Sequence, residues 1–200
     1  MPAELIAHGI ANSSEAFRAF ERGATLAEIN VSLGFLTRLV IQHQGILGAL
    51  GIGQSLESFL AQNKDRLLID IKHPRFSLNF AQKLSAMLSR LGIEEANVCG
   101  RNWSTVSQVC EANNLPAYYT LESQHSIDEF RAASQKLRPA EGVSVEHSLI
   151  DSDFMGEFQQ NRGLRILAWK VESQDVAKRL EDLKVDAMIA SSPFILMKGL

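Results

Sequence analysis

Cysteine is scarce in this chain: Cys99 and Cys110 are the only two in 200 residues, and they have neither a CxxC nor a metal-ligand spacing. That excludes a disulfide scaffold and leaves two reduced, partly buried thiols. No apolar stretch approaches the roughly 18 residues that a membrane span needs. The opening MPAELIAHGIANSS has no basic n-region and no long apolar h-region, so no secretory signal is expected there. Charge of one sign is also missing: the net value is -3 and acids and bases are interspersed, so no face is marked for nucleic acid. No glycine-rich nucleotide fingerprint follows the first strand, which argues against a Rossmann domain. These absences describe a cytoplasmic chain, or one whose leader has already been removed.

What is present is a large apolar fraction, 46%, in a length that suits one domain. Short apolar runs alternate with amphipathic stretches along the whole chain. Strands are expected at Glu4–Gly9, Leu26–Leu33, Leu39–Gln44, Leu67–Lys72, Ala96–Arg101, Ala117–Leu121, Gly142–Ser148, Arg165–Val171 and Ala187–Ala190. Helices are expected at Ser14–Arg22, Ser55–Asn63, Leu78–Leu91, Thr105–Asn113, Ile127–Leu137, Asp153–Asn161 and Gln174–Leu183. In the longest of these, Phe80, Leu84, Leu88 and Leu91 form one stripe. About eight short strands with helices between them mean a parallel sheet, and that number favours closure. The expected fold is α/β, a compact (β/α)8 TIM barrel with little or no insertion, spanning residues 1–200 as a single domain. An open doubly wound sheet is the alternative.

The first strand-like runs end on polar groups. They deliver His8, Glu28, Asn30, His43, Asp70 and Lys72 to strand ends, the place where an α/β barrel carries its chemistry. Glu28 and Asn30 are two apart and so share a face, as do Asp70 and Lys72. Two carboxylates and an amide are hard oxygen donors suited to Mg²⁺ or Ca²⁺. The Lys72 ammonium suits a phosphate oxygen, and His8 and His43 suit general acid and base roles. Each motif alone is a weak signal, and their succession on consecutive strand ends is what gives them weight.

These runs, His8-Gly9, Glu28-Ile29-Asn30, His43-Gln44 and Asp70-Ile71-Lys72, resemble the H-R-G, E-x-D, H-D and E-x-K motifs of the glycerophosphodiester phosphodiesterase family, in the same order. The resemblance continues through EAFRAFERG (15–23), SLESFL (55–60), ILAWKV (166–171) and VDAMIASSP (185–193), and so covers nearly the whole chain. It implies a phosphodiesterase barrel that hydrolyses a small, lipid-derived glycerophosphodiester to glycerol phosphate and an alcohol with the help of a divalent cation. Carried over position by position, Glu28, Asn30 and Asp70 would hold Mg²⁺ or Ca²⁺, His8 and His43 would be catalytic, and Lys72 would contact phosphate. His147, Trp169 and Lys170 would complete the substrate site, Trp169 by stacking on an apolar part. The alternative is a catalytically inactive barrel that binds a phosphorylated metabolite or a protein partner.

Several positions depart from the family pattern. Asn30 stands where the motif has aspartate, which removes one negative charge from the ligand set and weakens cation binding. Asp70 reaches one methylene less than glutamate. Gly9 follows His8 directly, without the arginine between them, and Gln44 follows His43. GILGALGIG (45–53) occupies the place of a longer covering segment. Arg101 is a second source of positive charge, and Glu146 competes with His147 for the inward position. The sequence leaves open the substrate alcohol, the choice between the two cations and the oligomeric state.

Overall fold

Each barrel strand is a four- or five-residue apolar segment, or the first part of a longer one, and each helix that follows it is started by a short polar side chain. In the computed structural model, which describes residues 2–34, 38–42, 54–72 and 77–191, Asn12, Ser55, Ser77, Asn102, Ser123, Asp151 and Ser173 each accept a hydrogen bond from a backbone N–H in the first helical turn. The helices they start are α1 (Ser13–Glu21), α2 (Leu56–Leu60), α3 (Leu78–Leu91), α4 (Trp103–Asn113), α5 (Gln124–Ala133), α6 (Ser152–Met155) and α7 (Gln174–Asp182). A π-helical stretch, Gly156–Asn161, continues α6. Gly92 ends α3 in the left-handed region at φ 65°, which a glycine adopts without strain.

The strands are β1 (Glu4–Ala7), β2 (Leu26–Leu33), β3 (Leu39–Ile41), β4 (Gln54–Ser55), β5 (Leu67–Ile71), β6 (Asn97–Gly100), β7 (Ala117–Leu121), β8 (Gly142–Glu146), β9 (Arg165–Trp169) and β10 (Ala187–Ala190). Strands β1, β2 and β5–β10 are parallel, and β1 pairs with both β2 and β10. That double pairing closes the sheet into an eight-stranded barrel and sets aside the open sheet.

Residues 39–44 depart from expectation. The strand there is Leu39–Ile41, and it runs antiparallel to β2, with Val31 opposite Ile41 and Leu33 opposite Leu39. A parallel return needs a crossover of a dozen or more residues, and the short link from Leu33 to Leu39 allows only a hairpin. This pair, with β4 added to its edge, is an outgrowth of β2 above the barrel. His43, Gln44 and the GILGALGIG segment lie outside the described residues.

Alternate residues of the strands face two different interiors. Outward-facing Ile29, Val31, Ile69, Ile71, Val98, Tyr119, Leu121, Val143, Val145, Ile166 and Ala168 pack with helix residues such as Phe59, Phe80, Leu84, Phe130 and Phe158 in one large apolar cluster. Inward-facing Ile6, Leu68, Cys99, Tyr118, Leu167 and Ile189 form a smaller cluster inside the barrel. Its floor is polar and tied together. Arg165 bonds the Glu4 carboxylate at 2.9 Å and the Tyr118 hydroxyl at 3.4 Å. Gly142 leaves room for the Tyr118 ring, since a Cβ there would lie 2.7 Å from it and 2.2 Å from the Arg165 carbonyl.

Candidate active site

Two residues further along each strand, the inward positions change from apolar to polar. Ile6 is followed by His8, Leu68 by Asp70 and Lys72, Cys99 by Arg101, Tyr118 by Thr120, Gly142 by Ser144, and Ile189 by Ser191. These residues, with Glu28, Trp169, Lys170 and Glu172, line a cavity of about 300 Å³ at the C-terminal mouth of the barrel. That is the lower end of the range for small-molecule sites. His8, Glu28, Asp70, Lys72, Trp169 and Lys170 are thus brought together as the sequence suggested.

One wall is ionic. Glu28 is 3% exposed, and its Oε2 lies 2.7 Å from His8 Nδ1. That hydrogen bond holds the His8 pKa above its ordinary value, against the opposing effect of burial. Burial also pushes the Glu28 carboxyl up, although His8 pulls the other way. Both directions mean that the pair holds its proton more tightly than either group would in water. Next to it the Lys72 ammonium donates to Asp70 Oδ2. Burial draws the Lys72 pKa down, but the charge and hydrogen bond of Asp70 outweigh it, so the amine stays cationic. Asp70 lies opposite Asn30 in the β2–β5 register and opposite Cys99 in the β5–β6 register. Burial and the nearby Asp70 charge push the Cys99 thiol well up, so it is not a thiolate nucleophile.

The other wall is mostly neutral. Thr120 Oγ1 and Trp169 Nε1 are buried and find no hydrogen-bond partner among the described residues, and Asn30 Oδ1 shares that condition. A buried polar atom left unpaired costs about 1–3 kcal/mol, so this wall is held at some expense of stability. At the rim, Arg101 pairs with Glu122 at 2.7 Å. Lys170 holds a left-handed backbone at φ 63°, an uncommon conformation for a lysine and the kind of strain that clusters at functional sites.

His147 is not among the lining residues. Strand β8 stops at Glu146, and His147 opens a 3-10 turn whose carbonyl accepts from Arg179 at 2.6 Å. By alternation His147 shares the outward face of Val143 and Val145, and Ser144 takes the inward place, while Glu146, which has the parity of Ser144, turns aside to accept from the Ser148 N–H at 3.0 Å. Thr120, Ser144 and Ser191 were not found from the sequence, because attention to ionisable strand ends passes over hydroxyls, and Glu172 was missed because it lies three residues past the end of β9. The signal for two of them was a lone polar residue inside an apolar run, Thr120 in AYYTL and Ser144 in GVSVE.

The resemblance implies Mg²⁺ or Ca²⁺ on Glu28, Asn30 and Asp70. The donors present do not fit a cation cage. Each carboxylate already holds a basic partner, and the third donor is a neutral amide. Among the described residues, no three His, Cys, Asp or Glu side chains converge on a point that could hold a metal.

No family model matches the sequence, and no curated protein matches it. Solved structures do match. A glycerophosphodiester phosphodiesterase from Thermotoga maritima is 14% identical with a TM-score of 0.75, covering 99% of this chain and 98% of its own. One from Parabacteroides distasonis is 16% identical with a TM-score of 0.75, covering 98% and 95%. A phosphodiesterase from Oleispira antarctica, solved with its product sn-glycerol-3-phosphate, is 13% identical with a TM-score of 0.73, covering 98% and 96%. Identities this low speak to the fold alone. Over nearly its whole length, then, the chain has the closed eight-stranded barrel seen in these phosphodiesterases.

Proposed function

We propose that this protein is a divergent glycerophosphodiester phosphodiesterase that hydrolyses a small phosphodiester in the mouth of its barrel. The observation that carries this reading is the His8–Glu28 pair set beside the Lys72 ammonium in one cavity. Lys72 offers a positive charge to a non-bridging phosphoryl oxygen. Glu28 fixes His8 through Nδ1, so Nε2 is the nitrogen that transfers a proton. As a water oxygen gives up a proton to His43 and bonds to phosphorus, the bond from phosphorus to the alcohol oxygen breaks, and His8 delivers its proton to that leaving oxygen. Thr120, Ser144 and Trp169 line the part of the cavity that would receive the hydroxylated remainder of the substrate. The second histidine of the proposal is His43. The unpaired, buried thiols Cys99 and Cys110 accord with a cytoplasmic setting.

The test follows turnover of a glycerophosphodiester by phosphorus NMR in the wild type, His8→Ala and Lys72→Ala, with circular dichroism as the folding control. General acid catalysis contributes about 10²–10⁴-fold, so His8→Ala should lose at least 10²-fold. Unchanged turnover in that variant would sink the reading. A second reading, an inactive barrel that binds a phosphorylated metabolite, is favoured by Asn30 and by the lack of an arginine between His8 and Gly9. Binding of sn-glycerol-3-phosphate without turnover of any diester would select it.

A further inference from the structure

We propose that Lys72 takes the place of a divalent cation in this pocket, so that the site binds its phosphate ester on its own ammonium group and has no independent Mg²⁺ or Ca²⁺ site. The inference rests on the phosphodiester reading above, and it departs from what the family resemblance implies for the cofactor.

The argument is one of charge and position. The three oxygen donors at the strand ends, Glu28, Asn30 and Asp70, are all at least nine-tenths buried and carry two negative charges between them. Both charges are already engaged. Asp70 accepts from Lys72, and Glu28 Oε2 lies 2.7 Å from His8 Nδ1. A doubly charged ion placed among these oxygens would sit against a lysine at ion-pair range and be repelled by it. It would have to expel Lys72 from Asp70 to gain that ligand.

Position 30 decides the balance. Asn30 lies directly opposite Asp70 across the β2–β5 register, on the inward face. A carboxylate there would add a third negative charge, and enough would then remain for a cation after Lys72 took its share. The amide adds none. Its Oδ1 is buried without a partner among the described residues, a neutral oxygen that brings no charge to hold a cation. A phosphate ester meets the opposite situation, since it needs positive charge and neutral neighbours, and this mouth offers the Lys72 N–H groups not used on Asp70 beside the Thr120 and Ser144 side chains.

The experiment is calorimetry on EDTA-stripped protein. Mg²⁺ and Ca²⁺ are titrated into the wild type, Asn30→Asp and Asp70→Asn. Separately, sn-glycerol-3-phosphate is titrated into the wild type and Lys72→Met, with and without EDTA. The wild type should give no saturable cation binding, and Asn30→Asp should acquire it. The phosphate ester should bind within twofold of the same affinity with and without EDTA, and at least tenfold more weakly in Lys72→Met. Saturable cation binding by the wild type that is lost in Asp70→Asn overturns the proposal, as does ester binding that requires the cation. Silence of Asn30→Asp toward both cations overturns charge balance as the cause. If the ester binds under no condition, the phosphodiester reading fails, while the cation titration still decides the question of the metal.

Discussion

The two faces of the barrel strands share one backbone and obey opposite rules. Outward residues are apolar from end to end and lie under a continuous layer of helices. Inward residues are apolar only in the middle, salt-bridged at the floor and ionic or unpaired at the mouth. The outer face is built for stability, and the mouth gives up stability to hold reactive groups ready. Closely packed apolar side chains lose free energy with every atom removed. Buried polar atoms without partners cost free energy until a ligand arrives.

The sharpest way to break this contrast is to cut into the outer face. Phe130 is 1% exposed and touches the rings of Trp103, Tyr119 and Phe158. Phe130→Ala should cost about 3–5 kcal/mol in urea unfolding and leave the affinity of the remaining folded protein for phosphate esters unchanged. A loss under 1 kcal/mol would show that the helix layer is looser than its contacts indicate.

A smaller effect comes from the proton on the ionic wall. The folded His8 pKa is raised above its ordinary 6.5, mainly by the hydrogen bond to Glu28. The stabilisation from that proton is therefore fully present below pH 6.5 and is lost as pH rises through the folded value. Melting temperature should fall over that interval in the wild type, and the part due to His8 should vanish in His8→Gln. An unchanged pH slope in the variant would remove the pair from the stability account.

The smallest effect should have the opposite sign. Thr120→Val keeps the shape of the side chain and removes an unpartnered hydroxyl. Stability should stay level or rise by up to about 1 kcal/mol, measured by urea unfolding, while affinity for sn-glycerol-3-phosphate falls. A clear loss of stability would mean that the hydroxyl has a structural partner, and the contrast between the two faces would weaken there.

The barrel was largely legible because its outer face repeats. Runs such as LLIDIK and the Phe80–Leu91 stripe announce strand and helix by their periods. The parity of Glu28 with Asn30, and of Asp70 with Lys72, placed most of the ionic wall as well. Other features could not be read this way. An apolar run such as LVI carries no sign of direction, so β3 passed for a parallel strand until the short link before it is weighed. His147 shares the parity of outward-facing Val143 and Val145, and the place inside the barrel falls to Ser144, a hydroxyl that a search for ionisable strand ends passes over. Whether Glu28 and Asp70 face an ion or their neighbours His8 and Lys72 depends on side-chain distances that no spacing rule supplies.

The floor of the barrel has a kinetic consequence. Arg165, Glu4 and Tyr118 close the lumen from below, with the Tyr118 ring packed against Gly142. Nothing can pass through, so whatever enters the cavity leaves by the same doorway. A molecule held in this cup therefore keeps the next one out until it has left by the way it came.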